Sequence, residues 1–216
     1  MCCQLQSVWS SIQNLASWGE DYHEKENGST WYNWKAGGTK VTKKTVYNTV
    51  LGGYFPEHVK CMSSLRWLKL NRTGLCYLPE ELASLQKLAV VARANSLKNS
   101  GVPDDIFQLE DLSVLDLSYN QLTEIPRELE NSKNMLVLNL SHNGIDSIPN
   151  QLFINLTDLL YLDLSDNKLD SLPPQMRRLV HLQTLILNNN PLMHAQLRYN
   201  TLIFSAIFLL ACGPLE

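Results

Sequence analysis

The chain has no basic surplus. Its 216 residues carry 18 Lys and Arg against 21 Asp and Glu, a formal charge of −3. At that balance nothing drives nucleic-acid binding by phosphate neutralisation, and no nucleic-acid partner is expected. It has no CxxC pair either. Cys2, Cys3, Cys61, Cys76 and Cys212 are odd in number and scattered, which fits a reduced, intracellular setting better than a disulfide framework. Acylation of Cys2 and Cys3 lacks support, because neither a Gly after the initiator Met nor a basic cluster is present. The first 20 residues lack a basic start and an unbroken apolar core, so no secretory signal is expected. No membrane span is expected, because the apolar run Leu202–Cys212 falls short of the ~20 residues that cross a bilayer.

Patterns that carry chemistry are missing as well. There is no Gly-rich phosphate loop. His142, His181 and His194 have neither metal-ligand spacing nor a paired nucleophile. Asp116, Asp163 and Asp166 sit in no EF-hand pattern, so their spacing is set by something other than a cation site. No catalytic residue, metal or cofactor is expected.

What the chain does have is self-similarity. "LSVLDLSYN" (Leu112–Asn120), "MLVLNLSHN" (Met135–Asn143), "LLYLDLSDN" (Leu159–Asn167) and "LQTLILNNN" (Leu182–Asn190) superpose. "LRWLKLNRT" (Leu65–Thr73) is a fifth copy, with Thr73 in place of Asn. The terminal Asn residues are 23, 24 and 23 apart. Most copies continue to a Leu or Ile followed by Pro, at Pro79, Pro126, Pro149 and Pro173. This is the leucine-rich repeat pattern, and missing it would mis-assign the whole fold.

The expected fold is α/β: a leucine-rich-repeat solenoid with a short parallel β-sheet on its concave face and an irregular N-terminal segment. Each L-x-L core is a strand whose leucines point inward, because one repeat cannot bury them without its neighbours. Asn95, Asn120, Asn143, Asn167 and Asn190 are expected to form a ladder that satisfies loop backbone groups. A longer variant runs from Asn95 to Pro103 and from Asn48 to Pro56, with Gly101 and Gly52-Gly53 where extra turns need backbone freedom. Anchored on Asn48, the strand leucine positions fall on Lys40, Lys43 and Thr45, all polar, so that first strand reads as degraded or absent.

The stretch "LQKLAVVARAN" (Leu85–Asn95) breaks the step. Thr73 and Asn95 are 22 apart, and the frame anchored on Asn95 puts strand positions at Val90 and Ala92 and the first Leu position at Lys87. Leu88 is one residue out of phase. The stretch reads as the end of one repeat fused to the start of another. The solenoid is expected to absorb this seam, with Lys87 turned outward and Leu88 competing for its slot.

Three segments follow. Residues 1–45 are unassigned and expected to be largely disordered, with a short amphipathic helix at 5–18 as one option. Residues 46–198 form the solenoid, and 199–216 an apolar tail that either caps the last coil or stays exposed.

Several stretches resemble the N-terminal leucine-rich repeats of the flightless family in the gelsolin superfamily. They are "GGYFPE" (Gly52–Glu57), "SLRWLKLNRTGLCYLPEEL" (Ser64–Leu82), "ARANSLKNSGVPDDIF" (Ala92–Phe107), "LSVLDLS" (Leu112–Ser118), "NQLFINLTDLLYLDLS" (Asn150–Ser165) and "LPPQMRRLVHLQTL" (Leu172–Leu185). The likeness covers about Gly52 to Arg198. The resemblance implies that the family has a further repeat, ~23 residues long, between the positions of Leu88 and Ala89. The resemblance implies an altered or shortened form, in a cytoplasmic, cytoskeleton-associated setting, with the nucleus as a second location. It implies actin binding and filament remodelling for the whole family protein. Those activities belong to gelsolin-like modules, so only partner binding by the repeats carries over, and actin is not expected as a direct partner.

The variable positions that flank the strand leucines build the concave face. They are Trp67, Lys69 and Asn71; Val114, Asp116 and Ser118; Val137, Asn139 and Ser141; Tyr161, Asp163 and Ser165; and Thr184, Ile186 and Asn188. A mixed surface with one Trp and one Tyr suits protein recognition, where aromatic anchors dominate affinity. The plainer alternative is that these are solvated strand residues. Arg127, Arg177 and Arg178 read as a solvated convex face, with an acidic or phosphoinositide contact as the alternative. The functional expectation is a non-enzymatic protein-binding module. The alternative is a shortened product that is inactive or competes with the full-length protein for partners.

Overall fold

The computed structural model describes residues 43–47, 59, 62–85, 88–192 and 208–209. Among these, eight short strands build one parallel sheet in strict chain order. They are β1 (Lys43–Tyr47), β2 (Trp67–Asn71), β3 (Ala89–Val91), β4 (Val114–Asp116), β5 (Val137–Asn139), β6 (Tyr161–Asp163), β7 (Thr184–Ile186) and β8 (Phe208–Leu209). The register stacks like on like. Leu68 lies opposite Val90, Val90 opposite Leu115, then Leu138, Leu162 and Leu185 in turn.

Side-chain alternation along a strand sends these residues to one face. Leu68, Leu70, Leu75 and their repeats in later coils bury fully in one continuous core that runs from Val59 to Leu192. No coil closes this core alone, so the stability of each depends on its neighbours.

The return path on the convex side is mostly 3₁₀-helix. Pro79, Pro103, Pro126 and Pro173 precede the segments Glu80–Ser84, Asp104–Gln108, Arg127–Asn131 and Pro174–Arg178. Each Pro has a φ near its ring-fixed value and accepts, through its carbonyl, an N–H from three residues on. Each segment buries an apolar residue: Leu82, Ile106, Leu129 and Met176. One coil uses a single α-helical turn instead, α1 (Leu152–Asn155), which buries Leu152 and Phe153.

The sheet is continuous across the seam. Trp67 of β2 pairs with Ala89 of β3, and Val90 of β3 pairs with Leu115 of β4. Register puts Leu88 level with Arg66, a position that is exposed or half-exposed in other coils, at Ser113, Leu136, Leu160 and Gln183. Leu88 nevertheless has no exposed surface and belongs to the core. The chain thus fills the seam with the out-of-phase leucine rather than leaving a gap. Gln86 and Lys87 lie outside the described residues, so the expectation for Lys87 does too.

The first strand differs from expectation, and the tail takes one of the two options left open for it. The strand expected to be degraded or absent is present as β1, with a frame one residue later than Asn48 implies. Val46 sits opposite Leu70 and Lys44 opposite Leu68. An Asn in roughly the right place set the wrong phase. The strand also begins at Lys43, inside the segment 1–45 expected to be largely disordered. At the other end Phe208 and Leu209, in the segment set apart as a tail, pair with Thr184 and Leu185 of β7. The sheet therefore runs beyond residue 198. The helix expected at 5–18 lies outside the described residues.

Gly101 has a different role from the one expected. It lies in the turn Asn99–Gly101, and a Cβ there would stand 2.3 Å from the Cys76 carbonyl oxygen. Its own carbonyl accepts from the Leu78 N–H at 2.7 Å. Close approach of two coils, not an unusual dihedral, excludes a side chain.

Candidate protein-interaction face

The positions that alternate with the core leucines form three columns across the sheet. In the first column Ala89, Val114 and Val137 make a second apolar cluster, apart from the main core. Trp67 and Tyr161 pack against it, half-buried. Small side chains thus form a floor and two aromatics stand at its ends, four strand steps or about 19 Å apart. Sequence reasoning put Trp67, Val114, Val137 and Tyr161 on this face but missed Ala89. The frame anchored on Asn95 was the signal that places it there. Thr184, next in the column, is half-exposed.

The second column reads Lys69, Val91, Asp116, Asn139, Asp163 and Ile186 in register. Asp116 is fully buried and Asp163 nearly so, while Asn139, Lys69 and Ile186 are half-exposed. Three of these residues tie down the strand exit. Asp116 Oδ1 accepts from the Ser118 N–H at 2.8 Å, Asn139 Oδ1 from Ser141 at 3.0 Å, and Asp163 Oδ1 from Ser165 at 3.0 Å. The Ser141 and Ser165 hydroxyls donate to the same oxygens at 2.7 Å. The backbone bond asks for no particular side chain, so it is the hydroxyl bond that gives Ser141 and Ser165 their reason two residues after an Asn or Asp.

The Asp116 coil departs from its neighbours. Asp116 Oδ2 and Ser118 Oγ are both buried without a hydrogen-bond partner. Burial raises the Asp116 carboxyl above the usual carboxylate range, against the opposing pull of Ser118 and Arg93. Burial also raises Asp163, against its bonds from Ser165 and the charge of His142. Burial, followed by the negative charge of Asp163, pushes the Tyr161 hydroxyl well above its usual range, so it remains a donor. Its contact with Asp163 Oδ2 is long, at 3.5 Å.

The third column, Asn71, Arg93, Ser118, Ser141, Ser165 and Asn188, leads to a rim that sequence reasoning did not anticipate. The residue before each ladder position has a left-handed backbone: Arg72, Ala94, Tyr119, His142, Asp166 and Asn189, with φ of 53° to 57°. In the first five the amide bonds a carbonyl of the next coil, from Arg72 to Arg93 through Asp166 to Asn188, and this holds the strained dihedral in place. Side chains on this rim, with Arg93 of the third column beside it, stack in turn. The Arg93 guanidinium lies 4.5 Å over the Tyr119 ring, and the Tyr119 and His142 rings stack at 3.8 Å. His142 meets Asp166 at 3.3 Å, and Asn189 donates to Asp166 at 2.7 Å. Asp166 is therefore a rim residue, two coils and a column away from Asp116. His181 is exposed, and His194 lies outside the described residues.

The Asn side chains beneath the rim bridge coils. Asn120 Oδ1 accepts from the Leu97 N–H, Asn143 from Leu122, Asn167 from Ile145 and Asn190 from Leu169, at 3.0 to 3.1 Å. Each amide nitrogen donates to carbonyls of its own coil and the preceding one. Asn95 does the same across the seam, where it receives the Thr73 and Leu75 N–H groups.

Among the described residues no group of three metal-ligating side chains occurs, and no helix is long and apolar enough to cross a membrane. Arg127, Arg177 and Arg178 are exposed on the convex side.

The leucine rich repeat family matches residues 93–145 and 133–192. The chain is 78% identical over 175 aligned positions to the protein flightless-1 homolog of Danio rerio, which covers 70% of the chain and 14% of that relative. The chain therefore spans about one seventh of the length of the curated relatives it matches. Among solved structures, a leucine-rich-repeat protein of Leptospira interrogans has a TM-score of 0.66 at 28% identity, over 73% of this chain and 40% of that one. The ectodomain of an Arabidopsis thaliana membrane receptor kinase, in complex with Casparian strip integrity factor 2, has a TM-score of 0.53 at 27% identity, over 64% of this chain and 20% of that one.

Proposed function

From a leucine-rich-repeat solenoid similar to the repeat region of the flightless-1 homologues, we propose that the chain is a non-enzymatic module that binds protein partners on its concave sheet. The observation that carries this reading is the apolar column outside the core. Ala89, Val114 and Val137 form a cluster of their own between two half-buried aromatics. Folding of the coils does not require that column to be apolar, since the main core closes without it. Aromatic anchors beside a floor of small residues are the arrangement that concentrates binding energy in protein interfaces. A related solenoid, the plant receptor kinase ectodomain, is solved in complex with Casparian strip integrity factor 2, which supports this reading.

The setting we propose is cytoplasmic and cytoskeleton-associated, with service to actin regulation through a bound partner rather than direct actin contact. Capture of a defined partner of the flightless repeats by the whole chain tests the face. Trp67→Ala and Tyr161→Ala are each expected to weaken capture about tenfold, the ~1.4 kcal/mol of a modest hot spot. Arg177→Ala, on the convex side, is expected to leave capture unchanged. Equal capture by all three variants overturns the assignment.

A second reading is favoured by the broken step of the repeat at Leu85–Asn95. A chain that lacked one coil of its longer relatives would present a shortened concave face. It would compete with longer relatives for partners that touch only the shared coils and lose partners that need the missing one.

A further inference from the structure

The concave columns hold an imbalance that the fold leaves uncorrected. Asp116 alternates with the core residues Leu115 and Leu117, so its carboxylate projects from the concave side beside the apolar floor. It has no exposed surface, and Ser118 two residues on bears on it through the backbone N–H to Oδ1 and through a hydroxyl beside the carboxylate, yet its Oδ2 meets no donor. The chain's own cation whose charge bears on Asp116 is Arg93, and its guanidinium is laid on the Tyr119 ring instead. Two coils along the same column, Asp163 has its outer oxygen against only a long contact from Tyr161. Between them Asn139 makes the same strand-exit bonds without a charge. A carboxylate is therefore not required there by the fold. A buried carboxylate without a donor is costly, and the cost is relieved by whatever supplies one.

We propose that Asp116 and Asp163 form a receptor for one basic side chain of a protein partner, whose neighbouring apolar residues lie on the floor of Ala89, Val114 and Val137. This deepens the concave-face reading and rests on it. The partner segment carries a Lys or Arg next to aliphatic or aromatic residues. Its ammonium or guanidinium donates to Asp116 Oδ2, and its apolar neighbours settle between Trp67 and Tyr161. Because Asp116 is covered in the free chain, the donor enters as the side chains over it move aside. Asp163, slightly exposed, is the outer carboxylate that the cation meets first.

Panning a displayed library of random linear peptides on the whole chain tests this. Enriched sequences are expected to place a Lys or Arg beside an apolar residue. A selected peptide is expected to bind Asp116→Asn at least tenfold more weakly than the unaltered chain. Replacing its Lys by norleucine is expected to weaken binding to the unaltered chain at least tenfold and binding to Asp116→Asn, where Asp163 alone remains, by clearly less. Asp163→Asn gives a second variant, and Asn139 shows that an Asn at this site keeps the strand-exit bond. Peptides without a basic residue that still need Trp67 overturn the receptor and leave the concave-face reading standing. Peptides indifferent to Trp67→Ala and Tyr161→Ala, or no enrichment at all, overturn both.

Discussion

The Asn95 side-chain amide donates to the Leu70 carbonyl at 2.6 Å, and so ties the coil after the seam to the coil before it. The same side chain receives the Thr73 and Leu75 N–H groups at 2.9 and 3.2 Å. Thr73 stands where other coils have Asn and is itself fully buried. One residue therefore holds most of the polar accounts at this joint. Asn95→Ala leaves several buried backbone groups without partners and is expected to cost about 3 kcal/mol. Asn99→Ala, which removes exposed bonds to the next coil, is expected to cost under about 1 kcal/mol. Urea unfolding of both variants compares them. Equal midpoints would show that the ladder gives the seam no special support.

Gly101 is a test of coil spacing. A Cβ at 2.3 Å from the Cys76 carbonyl oxygen meets backbone, which no rotamer change relieves. Gly101→Ala is expected to destabilise by about 2 kcal/mol or more, as overpacking does. Gly144→Ala is the matched control, with its nearest contact at 3.3 Å from the Leu122 carbonyl oxygen. Its expected cost is under about 1 kcal/mol. If thermal unfolding shows the two glycines to be equivalent, the close approach at Cys76 is relaxed in solution.

How much of this was legible follows from where the repeat is strong. Leu112, Leu115, Leu117 and Asn120 repeat through Leu182, Leu185, Leu187 and Asn190, and there register, core and ladder follow from spacing alone. The concave membership of Trp67, Val114, Val137 and Tyr161 follows as well. At β1 the phase failed, because Asn48 resembled a ladder residue while Val46 was the residue paired with Leu70. The burial of Leu88 was only half visible, since periodicity marks it as out of frame without saying which way it turns. The rim from Arg93 to Asn189 was invisible. It depends on left-handed backbone at Arg72, Ala94 and Tyr119, residue types that give no hint of that conformation, although His142, Asp166 and Asn189 are of types that adopt it more readily. Nor does spacing reveal that Asp116 lacks a partner for one oxygen while Asp163, in the matching position, has its Ser165 hydroxyl bonded.

The buried carboxylates make stability depend on pH in an uncommon direction. Asp116 and Asp163 both have folded-state values raised by burial above the ordinary 3.8. A raised carboxyl contributes its stability in full below the unfolded value and loses it as pH rises through the folded one. Asp116→Asn keeps the acceptor for Ser118 and removes the buried charge. It is expected to match the unaltered chain near pH 3.5 and to exceed it near pH 7. The gain there is about 1 kcal/mol, or about 3 °C in Tm for a chain of this size. The measurement is the difference in Tm between the two proteins across that range. A variant less stable at neutral pH would mean that the Asp116 charge is compensated within the chain, and the receptor proposal would lose its physical basis.

Leu88 decides whether the seam is closed by packing or merely bridged by backbone. By position it is the counterpart of Arg66 and Gln183, both exposed, where truncation to Ala would cost almost nothing. By burial it is a core leucine with no exposed surface, in contact with the same cluster as Leu65 and Leu85. Leu88→Ala is therefore expected to cost about 2–5 kcal/mol, the usual range for a buried leucine, while Gln183→Ala is neutral. Because each coil rests only on its neighbours, a cavity at the joint has a second consequence. The coils before and after it lose part of their coupling. The unaltered chain is expected to unfold in one transition, with amide exchange protection shared by β2, β3 and β4. Leu88→Ala is expected to split it, with β2 exchanging before β4. A neutral Leu88→Ala would place the leucine outside the core, and the hydrogen bonds of Asn95 would then be the joint's main support.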